Sequence, residues 1–524
     1  MNGFFFSIVQ MYLKSIVSKV YLRKMGLKSI LVRSIAPRVV RSVYKAHNDA
    51  GERQRKLLKS LVRQSYHVHY LKDLNITRDD DAKTISQKLP IVDYEDIRPY
   101  INRIREGEKD VLWRGLPRYW AKTSGTTSGA KYIPLTKESM PDHIRAARNA
   151  LFCLIADGLS ADFFDGDMIF LQGSPELVYE NNIAVGRLSG IVYHHVPSWL
   201  QRNRQPSYEV NCIEDWEAKV EQIASDTSQR DMRLISGIPP WCVNYFERLL
   251  SLTKRNNLLE LFPNLSVFAY GGVQYAPYKA SIDSLIGAEI QGMETYPASE
   301  GFIAFQDKTN HEGLLLNLEA SIVFQFVPLE DWGKPSAKKL FIDEVELGVN
   351  YAVVLTSNAG LWSYSLGDTV RFVSESPYRL EVTGRVKHYI SAFGEHVIGE
   401  EVEKAMQAAK EDLFLSVREF TVAPEVNPVE GKPYHEWFIE FENDVSPALL
   451  DKLSEFLDDH LRKQNTYYDD LRVGEMLACA KITSVPSQGF EKAMRASGQW
   501  GGQSKVKRLA NDRDWVNFLL KTMK

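Results

Sequence analysis

A loop rich in hydroxyl groups and glycine, between residues 123 and 131, carries side chains that suit phosphate binding. Glycine lets the backbone approach a ligand closely, and hydroxyl and backbone N–H groups donate to anionic oxygens. This is not a Walker A sequence, because three residues separate the two glycines and Tyr132 follows the final lysine. The loop predicts a nucleotide triphosphate site, with a polar hairpin turn as the alternative. Its residues are Thr123, Ser124, Gly125, Thr126, Thr127, Ser128, Gly129, Ala130 and Lys131.

Four later segments hold polar residues that could complete such a site. They run from Gly292 to Gly301, from Ser363 to Asp368, from Gly384 to Glu403 and from Gly501 to Arg508. In this order, the loop and the four segments resemble the motifs of the adenylate-forming superfamily, which includes acyl-CoA synthetases, luciferases and peptide-synthetase adenylation domains. The forms Tyr-x-x-Ser-Glu, Tyr-x-x-Gly-Asp and Gln-x-Lys-x-x-Arg are more similar to the auxin-responsive (Gretchen Hagen) acyl-acid amido synthetases. The resemblance spans roughly residues 85 to 515.

The resemblance implies that the first loop holds the β- and γ-phosphates of ATP. A lysine at its end would add a point charge to the hydroxyl and backbone donors. The residues that would act in this way are Ser124, Gly125, Thr126, Thr127, Ser128, Gly129 and Lys131.

The later motifs are implied to bind the rest of the nucleotide and to catalyse the first reaction. Tyr296 would stack on adenine, and Glu300 would bind Mg²⁺, which uses few carboxylates together with substrate phosphates. Asp368 would accept hydrogen bonds from both ribose hydroxyls, supported by Arg385. Lys505 would reach the α-phosphate and the attacking carboxylate together.

The activity implied by the resemblance is ATP-dependent ligation of an acyl acid to an amine, with an amino acid as the expected acceptor. A carboxylate is a poor electrophile, so attack on the α-phosphate of ATP first converts it into an acyl-adenylate, and a nucleophile then displaces AMP. An acyl-CoA ligase on the same scaffold is one alternative. A catalytically silent scaffold or membrane-associated binding module is the other.

The elements that must position these residues alternate between strands and helices, which favours an α/β fold with a parallel or mixed sheet. The segments 118–122 and 131–135 predict strands on either side of the first loop, and Thr136 then predicts the start of a helix with Ile144, Ala147 and Leu151 on its apolar face. Ligands collect at the carboxyl ends of such strands. Buried strands are predicted at Met168–Leu171, Leu265–Tyr270 and Ile322–Val327, and the second leads directly into Gly271 and Gly272.

Two domains are expected, a large N-terminal domain of mixed sheets at 1–388 and a small, mobile α+β domain at 389–524. Gly384 and Gly394 lie on either side of the expected hinge, since glycines absorb backbone rotation. Ser299 belongs to the second motif beside the expected Mg²⁺ ligand, and Lys507 is the alternative to Lys505 as the catalytic lysine.

Composition fits a globular protein in the cytoplasm. The chain has 524 residues, 44% of them hydrophobic, and its four cysteines are too far apart to indicate a disulfide framework or a zinc site. The net charge of −3 gives no indication of a nucleic-acid partner. Charge is uneven, because residues 1–65 hold 14 Lys and Arg against Asp49 and Glu52. This basic helical segment predicts either weak contact with an anionic membrane surface or helices packed on the body of the protein.

Overall fold

The computed structural model describes residues 26–123, 131–272, 275–310, 312–334, 336–386, 389–390, 397–426, 428–473, 477–498, 505–510 and 512–523. Predictions for Ser124, Gly125, Thr126, Thr127, Ser128, Gly129 and Gly394 lie outside these residues.

Helices and strands alternate along most of the described chain. The helices are α1 (Leu27–Lys45), α2 (Ala50–Ser65), α3 (His69–Asp73), α4 (Ala82–Lys88), α5 (Tyr94–Arg105), α6 (Met140–Ala156), α7 (Leu188–Tyr193), α8 (Ser198–Gln201), α9 (Tyr208–Asn211), α10 (Trp216–Thr227), α11 (Pro239–Thr253), α12 (Ala276–Ile286), α13 (Gly399–Asp412), α14 (Pro447–Gln464), α15 (Thr466–Val473), α16 (Gly489–Ala496) and α17 (Asp514–Thr522). The strands are β1 (Tyr119–Thr123), β2 (Lys131–Leu135), β3 (Asp167–Phe170), β4 (Val178–Glu180), β5 (Ile183–Gly186), β6 (Arg204–Gln205), β7 (Met232–Gly237), β8 (Val267–Gly271), β9 (Gln291–Ala298), β10 (Gly301–Phe305), β11 (Leu314–Leu316), β12 (Ile322–Pro328), β13 (Asn350–Ser357), β14 (Tyr364–Glu375), β15 (Tyr378–Arg385), β16 (Tyr389–Ile390), β17 (Val397–Ile398), β18 (Val417–Glu425), β19 (Tyr434–Phe441) and β20 (Lys481–Val485).

A large mixed sheet of eleven strands forms the centre, in the order β12-β13-β14-β15-β11-β10-β9-β8-β7-β3-β6. From β6 at one edge to β9, neighbouring strands of this sheet are parallel. From β9 to β12 at the other edge, neighbouring strands are antiparallel. The three buried strands expected from the sequence correspond to β3, β8 and β12. The predicted mixed α/β fold is therefore confirmed.

A second sheet has the order β2-β1-β5-β4 and holds the strands around the first loop. β1 and β2 are antiparallel, and Thr123 is opposite Lys131. Helix α6 begins at Met140, four residues after Thr136 and so later than predicted. The Thr136 hydroxyl nevertheless makes the predicted type of capping bond, because it accepts from the Ser139 backbone N–H, and it also donates to the Asn358 carbonyl.

The face of α6 that meets the core is also different from the predicted one. Ala146, Ala150 and Cys153 are buried, whereas Ala147 is exposed. The later start does not by itself explain this difference, because the apolar residues of α6 occupy more than one face. Helix α1 packs against α6 and buries Val32 in the same core cluster as Cys153.

The C-terminal part contains a three-stranded sheet, β18-β19-β20, with its own hydrophobic core. The Ser446 hydroxyl accepts a hydrogen bond from the Leu449 backbone N–H and caps α14. A spacing of four residues places Leu453, Leu457 and Leu461 on the buried face of this helix. An α+β unit therefore follows the large sheet, as the sequence predicts. In the described part of the chain, no helix is long and apolar enough to cross a membrane.

Candidate active site

The carboxylate of Asp368 is held between a guanidinium and a phenol. The β14–β15 register places Asp368 opposite Arg385, whose Nε donates to Asp368 Oδ1 at 2.6 Å. The hydroxyl of Tyr296 donates to Asp368 Oδ2 at 2.6 Å. The Asp368 charge is the largest influence on the pKa of Arg385, which it raises. Both carboxylate oxygens are thus fixed in direction and keep lone pairs for a ligand.

Glu300 lies in the turn between β9 and β10, directly after Ser299, at the carboxyl end of β9. Burial raises the pKa of its carboxyl group, while the positive charges of Lys131 and Arg385 oppose that rise and the Asp368 carboxylate adds to it. Lys131, Glu300, Asp368 and Arg385 are therefore close enough to interact electrostatically. The structure brings residues from four different sequence motifs into one site.

Lys505 reaches this site from the C-terminal part of the chain. A Cβ atom added to Gly272 would lie 3.4 Å from the Lys505 Nζ. The residue as a whole is exposed, and its amine lies beside the Gly272 backbone, within electrostatic reach of Arg385 and Asp368. Burial and the nearby Arg385 lower the pKa of Lys505 to about 8, and Asp368 opposes that change. The alternative, Lys507, makes no contact with the site among the described residues, and its backbone carbonyl accepts a hydrogen bond from the Thr421 hydroxyl.

Gly271, the last residue of β8, and Gly272, the next residue, are glycines for different structural reasons. A Cβ on Gly271 would lie 2.3 Å from the carbonyl oxygen of Thr295, so β8 and β9 could not keep their distance with a larger residue there. Gly272 has a φ of +80°, which favours glycine, and its missing side chain leaves space for the Lys505 amine. Both glycines allow close approach at the carboxyl end of a central strand.

Two tyrosines have roles in the site that sequence reasoning did not assign. Tyr296 is only 9% exposed and lies in the main core, so its ring has little surface left for stacking. Its hydroxyl group donates a hydrogen bond to Asp368 instead. Tyr364 is buried beside Glu300, and burial, with a smaller contribution from that carboxylate, raises the pKa of its phenol. The Tyr-x-x-Gly-Asp spacing contains Tyr364, and that spacing was the available signal.

The combined arrangement has the chemistry of a nucleotide site. Asp368 offers oriented acceptors for sugar hydroxyls, and Glu300 offers a hard oxygen ligand for a cation. Lys131 and Lys505 approach from two different parts of the chain and supply positive charge for phosphate groups. Thr123 and Lys131, the residues on either side of the predicted phosphate loop, pair with each other across β1 and β2, and Lys131 lies within electrostatic reach of Glu300.

Family models match most of the chain. The GH3 family N-terminal domain matches residues 39–177 and 160–290, the central domain matches 315–385, and the C-terminal domain matches 400–514. Jasmonoyl-L-amino acid synthetase JAR4 of Nicotiana attenuata is 24% identical over 480 residues, which cover 78% of this chain and 82% of that protein. Jasmonoyl-L-amino acid synthetase GH3.5 of Oryza sativa subsp. japonica is 24% identical over 494 residues, covering 78% and 83%.

Solved structures show the same fold. The GH3.15 acyl acid amido synthetase in complex with 2,4-DB has a TM-score of 0.75 at 17% identity, covering 94% of this chain and 96% of that one. A 2-hydroxyisobutyryl-CoA ligase in the postadenylation state has a TM-score of 0.57 at 11% identity, covering 91% and 92%. All three matching domain models are of one family and follow each other in order from residue 39 to residue 514. The chain therefore belongs to the GH3 family.

Proposed function

We propose that this protein is an ATP-dependent ligase that adenylates a carboxylic acid and transfers the acyl group to an amine, an amino acid being the expected acceptor. The observation that carries the proposal is the convergence of Glu300, Asp368, Arg385 and Lys505 at one site, which Lys131 also reaches. Separate surface acids and lysines would have no reason to meet there. AMP and pyrophosphate are the expected products.

The nucleotide would be bound mainly by residues of the large domain. Asp368 would accept hydrogen bonds from the ribose hydroxyls, and Arg385 and Tyr296 would keep its carboxylate in the required orientation. Gly271 and Gly272 would let the nucleotide approach the backbone closely. Lys131 and the loop before it would hold the β- and γ-phosphates, with adenine stacking on Tyr296 kept as a prediction.

Mg²⁺ fits this site at Glu300. Partial burial raises the pKa of this carboxyl group although Lys131 and Arg385 oppose the rise, so a bound cation would add favourable charge beside it. Mg²⁺ commonly binds one or two carboxylates together with substrate phosphates, so a single glutamate beside the phosphate loop is a suitable ligand. When bound, the ion would neutralise negative charge on the phosphate oxygens.

Lys505 would catalyse the first half-reaction electrostatically. The carboxylate oxygen attacks the α-phosphorus, a new O–P bond forms, and pyrophosphate leaves with the electrons of the broken P–O bond. Both reactants are anions, and a positioned ammonium group lowers their repulsion in the transition state. A pKa of about 8 keeps most of the Lys505 amine protonated at pH 7. The second half-reaction is attack of the amine on the acyl carbon, with AMP as leaving group.

The position of Lys505 corresponds to a closed arrangement of the two parts of the chain. Another contact between them joins Arg495 of α16 to Glu217 of α10 at 3.1 Å. We place the domain boundary at residue 388 with Gly384 in the hinge, since a Cβ on Gly384 would lie 3.3 Å from the Gly399 nitrogen, where α13 begins. Rotation there would withdraw the lysine before the second nucleophile enters.

An amine is the proposed acceptor because the chain belongs to the GH3 family, in which the relatives described above are named jasmonoyl-L-amino acid synthetases. The fold alone does not distinguish an amine acceptor from CoA, since a CoA ligase has the same fold.

All four cysteines are free, which fits a reducing compartment and supports our placement of the protein in the cytoplasm.

ATP–pyrophosphate exchange with a panel of carboxylic acids tests the first half-reaction. We expect exchange that requires both the acid and Mg²⁺. Amino acids and CoA are then supplied separately to the preformed adenylate, and we expect an amide with an amino acid and no thioester. Absence of acid-dependent exchange across the panel would refute adenylation, and exclusive thioester formation would establish the CoA ligase instead.

A further inference from the structure

Arg204 is a buried cation for which the described part of the chain supplies no counter-charge. The residue is 7% exposed, and its Nε and Nη1 atoms are buried without a hydrogen-bond partner. Burial lowers the pKa of Arg204 to about 10, and the Tyr193 phenol opposes that change. Leaving a buried charge unpaired is costly, so a structural role alone explains this residue poorly.

Arg204 also has a shaped environment. Its guanidinium carbon lies 4.0 Å from the centre of the Tyr193 ring and 5.2 Å from that of Phe170, so two aromatic rings hold the group in place. Tyr193 ends α7, and two residues later the His195 Nε2 lies 3.1 Å from the hydroxyl of Tyr119 in β1. This environment therefore adjoins the strand that leads into the phosphate loop.

Two more cations without a carboxylate partner among the described residues lie near the carboxyl end of β3. Lys219 is 4% exposed and donates only to carbonyl oxygens, those of Gln172 at 3.1 Å and Asn211 at 2.7 Å. Arg187 lies against Gly173, close enough to lower the pKa of Lys219 further after burial has done so. The buried Nε2 of Gln172 has no partner either. This edge of the sheet is thus rich in donors and poor in acceptors.

From these observations we infer that Arg204 binds a substrate carboxylate other than the one that is adenylated. In the sheet, β6 is three strands away from β8, and the strand register sets Arg204 level with Val267, five residues before Gly272. The two backbone positions are therefore about 22 Å apart at the usual strand spacing and rise per residue. The Lys505 amine lies beside Gly272, where the proposed mechanism places the reacting carboxylate. The α-carboxylate of an amino acid acceptor is two bonds from the attacking nitrogen, which is too close to the reacting carbon to reach Arg204, so a carboxylate there is the remote group of a substrate that has two. This inference rests on the proposed function, because it deepens the substrate class of that enzyme.

Two sources could supply the remote carboxylate, and their chemistry is the same. A dicarboxylic acyl acid would place its second carboxylate on Arg204 before adenylation. An acidic amino acid acceptor would place its side-chain carboxylate there in the second step. Arginine binds carboxylates through two parallel N–H donors, which suits either source.

The test compares acid and neutral forms of each substrate in wild-type protein and in Arg204→Met. Suberate against its monomethyl ester is measured in ATP–pyrophosphate exchange, and glutamate against glutamine is measured in amide formation. We expect wild-type to prefer one acid form, and Arg204→Met to lose at least about tenfold of that preference, as for a lost charged hydrogen bond. If Arg204→Met loses the preference for the acid form in the exchange assay, the remote carboxylate belongs to the acyl acid. If it loses that preference only in amide formation, the remote carboxylate belongs to the acceptor. Equal ratios in both proteins overturn the inference.

A structural role is separated by two further measurements. Arg202→Met, at an exposed arginine two residues away, is the matched control and should keep the wild-type ratios. Without ligand, Arg204→Met should melt at the same or a higher temperature, because the uncompensated charge is gone. A lower Tm with unchanged ratios would establish a packing role. If no acid supports exchange, the proposed function fails, and the inference is then decided by whether suberate raises the Tm of wild-type more than that of Arg204→Met.

A different observation carries a second proposal, which concerns the outer face of α1. Leu27 is 88% exposed and Leu31 is 62% exposed, and Ile30 and Ile35 are each 37% exposed on the same side of the helix. Its other side packs on α6. The helix from Leu27 to Lys45 has five basic residues and no acidic one. The cations of the second half that face solvent are Arg38, Arg41 and Lys45.

We propose that this face of α1 binds an anionic lipid surface. Apolar side chains at one end and cations at the other match the acyl boundary and the headgroups of such a membrane. The charge of the surrounding sequence is complementary as well, with 14 basic residues against two acidic ones in residues 1–65. Attraction to anionic headgroups contributes about 1 kcal/mol for each basic residue near the surface.

Co-sedimentation of the full chain with vesicles tests the second proposal. Vesicles of phosphatidylserine and phosphatidylcholine should bind the protein at low salt and release it at high salt, whereas phosphatidylcholine alone should not bind it. Leu27→Ser with Leu31→Ser should abolish binding. The matched control is Leu252→Ser with Leu347→Ser, at leucines 46% and 53% exposed elsewhere. Unchanged binding of the first variant, or dimerisation through this face without lipid binding, would overturn the proposal.

Discussion

Replacement of Lys505 by alanine should separate adenylation from nucleotide binding. The amine lies beside Gly272 and within electrostatic reach of Asp368 and Arg385. Loss of one donor that acts on transition-state charge commonly costs about 10²- to 10³-fold in rate. The contacts among Tyr296, Asp368 and Arg385 are made within the large domain and remain in the variant. We therefore expect exchange to fall by about that factor, while the Kd for ATP changes far less.

The assays are ATP–pyrophosphate exchange at saturating substrates and calorimetric titration of ATP with the same preparation. Lys507→Ala is the matched control, because Lys507 is two residues away and makes no contact with the site among the described residues. It should keep near wild-type exchange. Two results would refute the assignment of Lys505, namely an equal loss of ATP binding and exchange in Lys505→Ala, or the same loss of exchange in Lys507→Ala.

Three further changes test other parts of the structure. Asp368→Asn should raise the KM for ATP by about 10- to 100-fold in the exchange assay, because ribose hydroxyls lose a charged acceptor, and an unchanged KM would speak against ribose binding. Exchange at subsaturating ATP should fall as the pH rises above about 8, because the Lys505 pKa is about 8 and the ammonium form is the catalyst; Lys505→Arg should lose that dependence, and persistence of the fall would point to another group. Asp307→Ala should lower the free energy of unfolding in urea by about 3–5 kcal/mol, because it leaves the 2% exposed Arg379 without its partner at 2.5 Å, and a change below about 1 kcal/mol would contradict the buried pair.

The sequence was informative where chemistry depends on local order. Aromatic and β-branched residues on both sides of the first loop predicted the strands that became β1 and β2, and the cap at Ser446 predicted the start of α14. Motif order also predicted that Glu300, Asp368 and Lys505 would meet, which they do. In these cases the signal lies in residue type and spacing, which a single sequence contains.

Contacts that depend on the curvature of the sheet could not be predicted in the same way. In the order of strands, β15, β11 and β10 lie between β14 and β9, yet Tyr296 of β9 donates a hydrogen bond to Asp368 of β14. Such a contact requires the antiparallel half of the sheet to curl, and the amount of twist and coiling is set by many pairings together. Arg204 was missed for a related reason, because its burial depends on the parallel pairing of β6 with β3.

The pKa of Lys505 also predicts what drives closure of the small domain. In the open form the amine would titrate near its usual 10.5, whereas in the closed form its pKa is about 8. Between these values the closed form holds fewer protons, so raising the pH should favour closure of the protein without ATP. Bound phosphates would compensate the lysine charge, so closure with ATP should depend little on pH. Small-angle scattering from pH 7 to pH 10, with Lys505→Met as control, measures this difference, and a pH-dependent compaction that persists in the variant would exclude Lys505 as its cause.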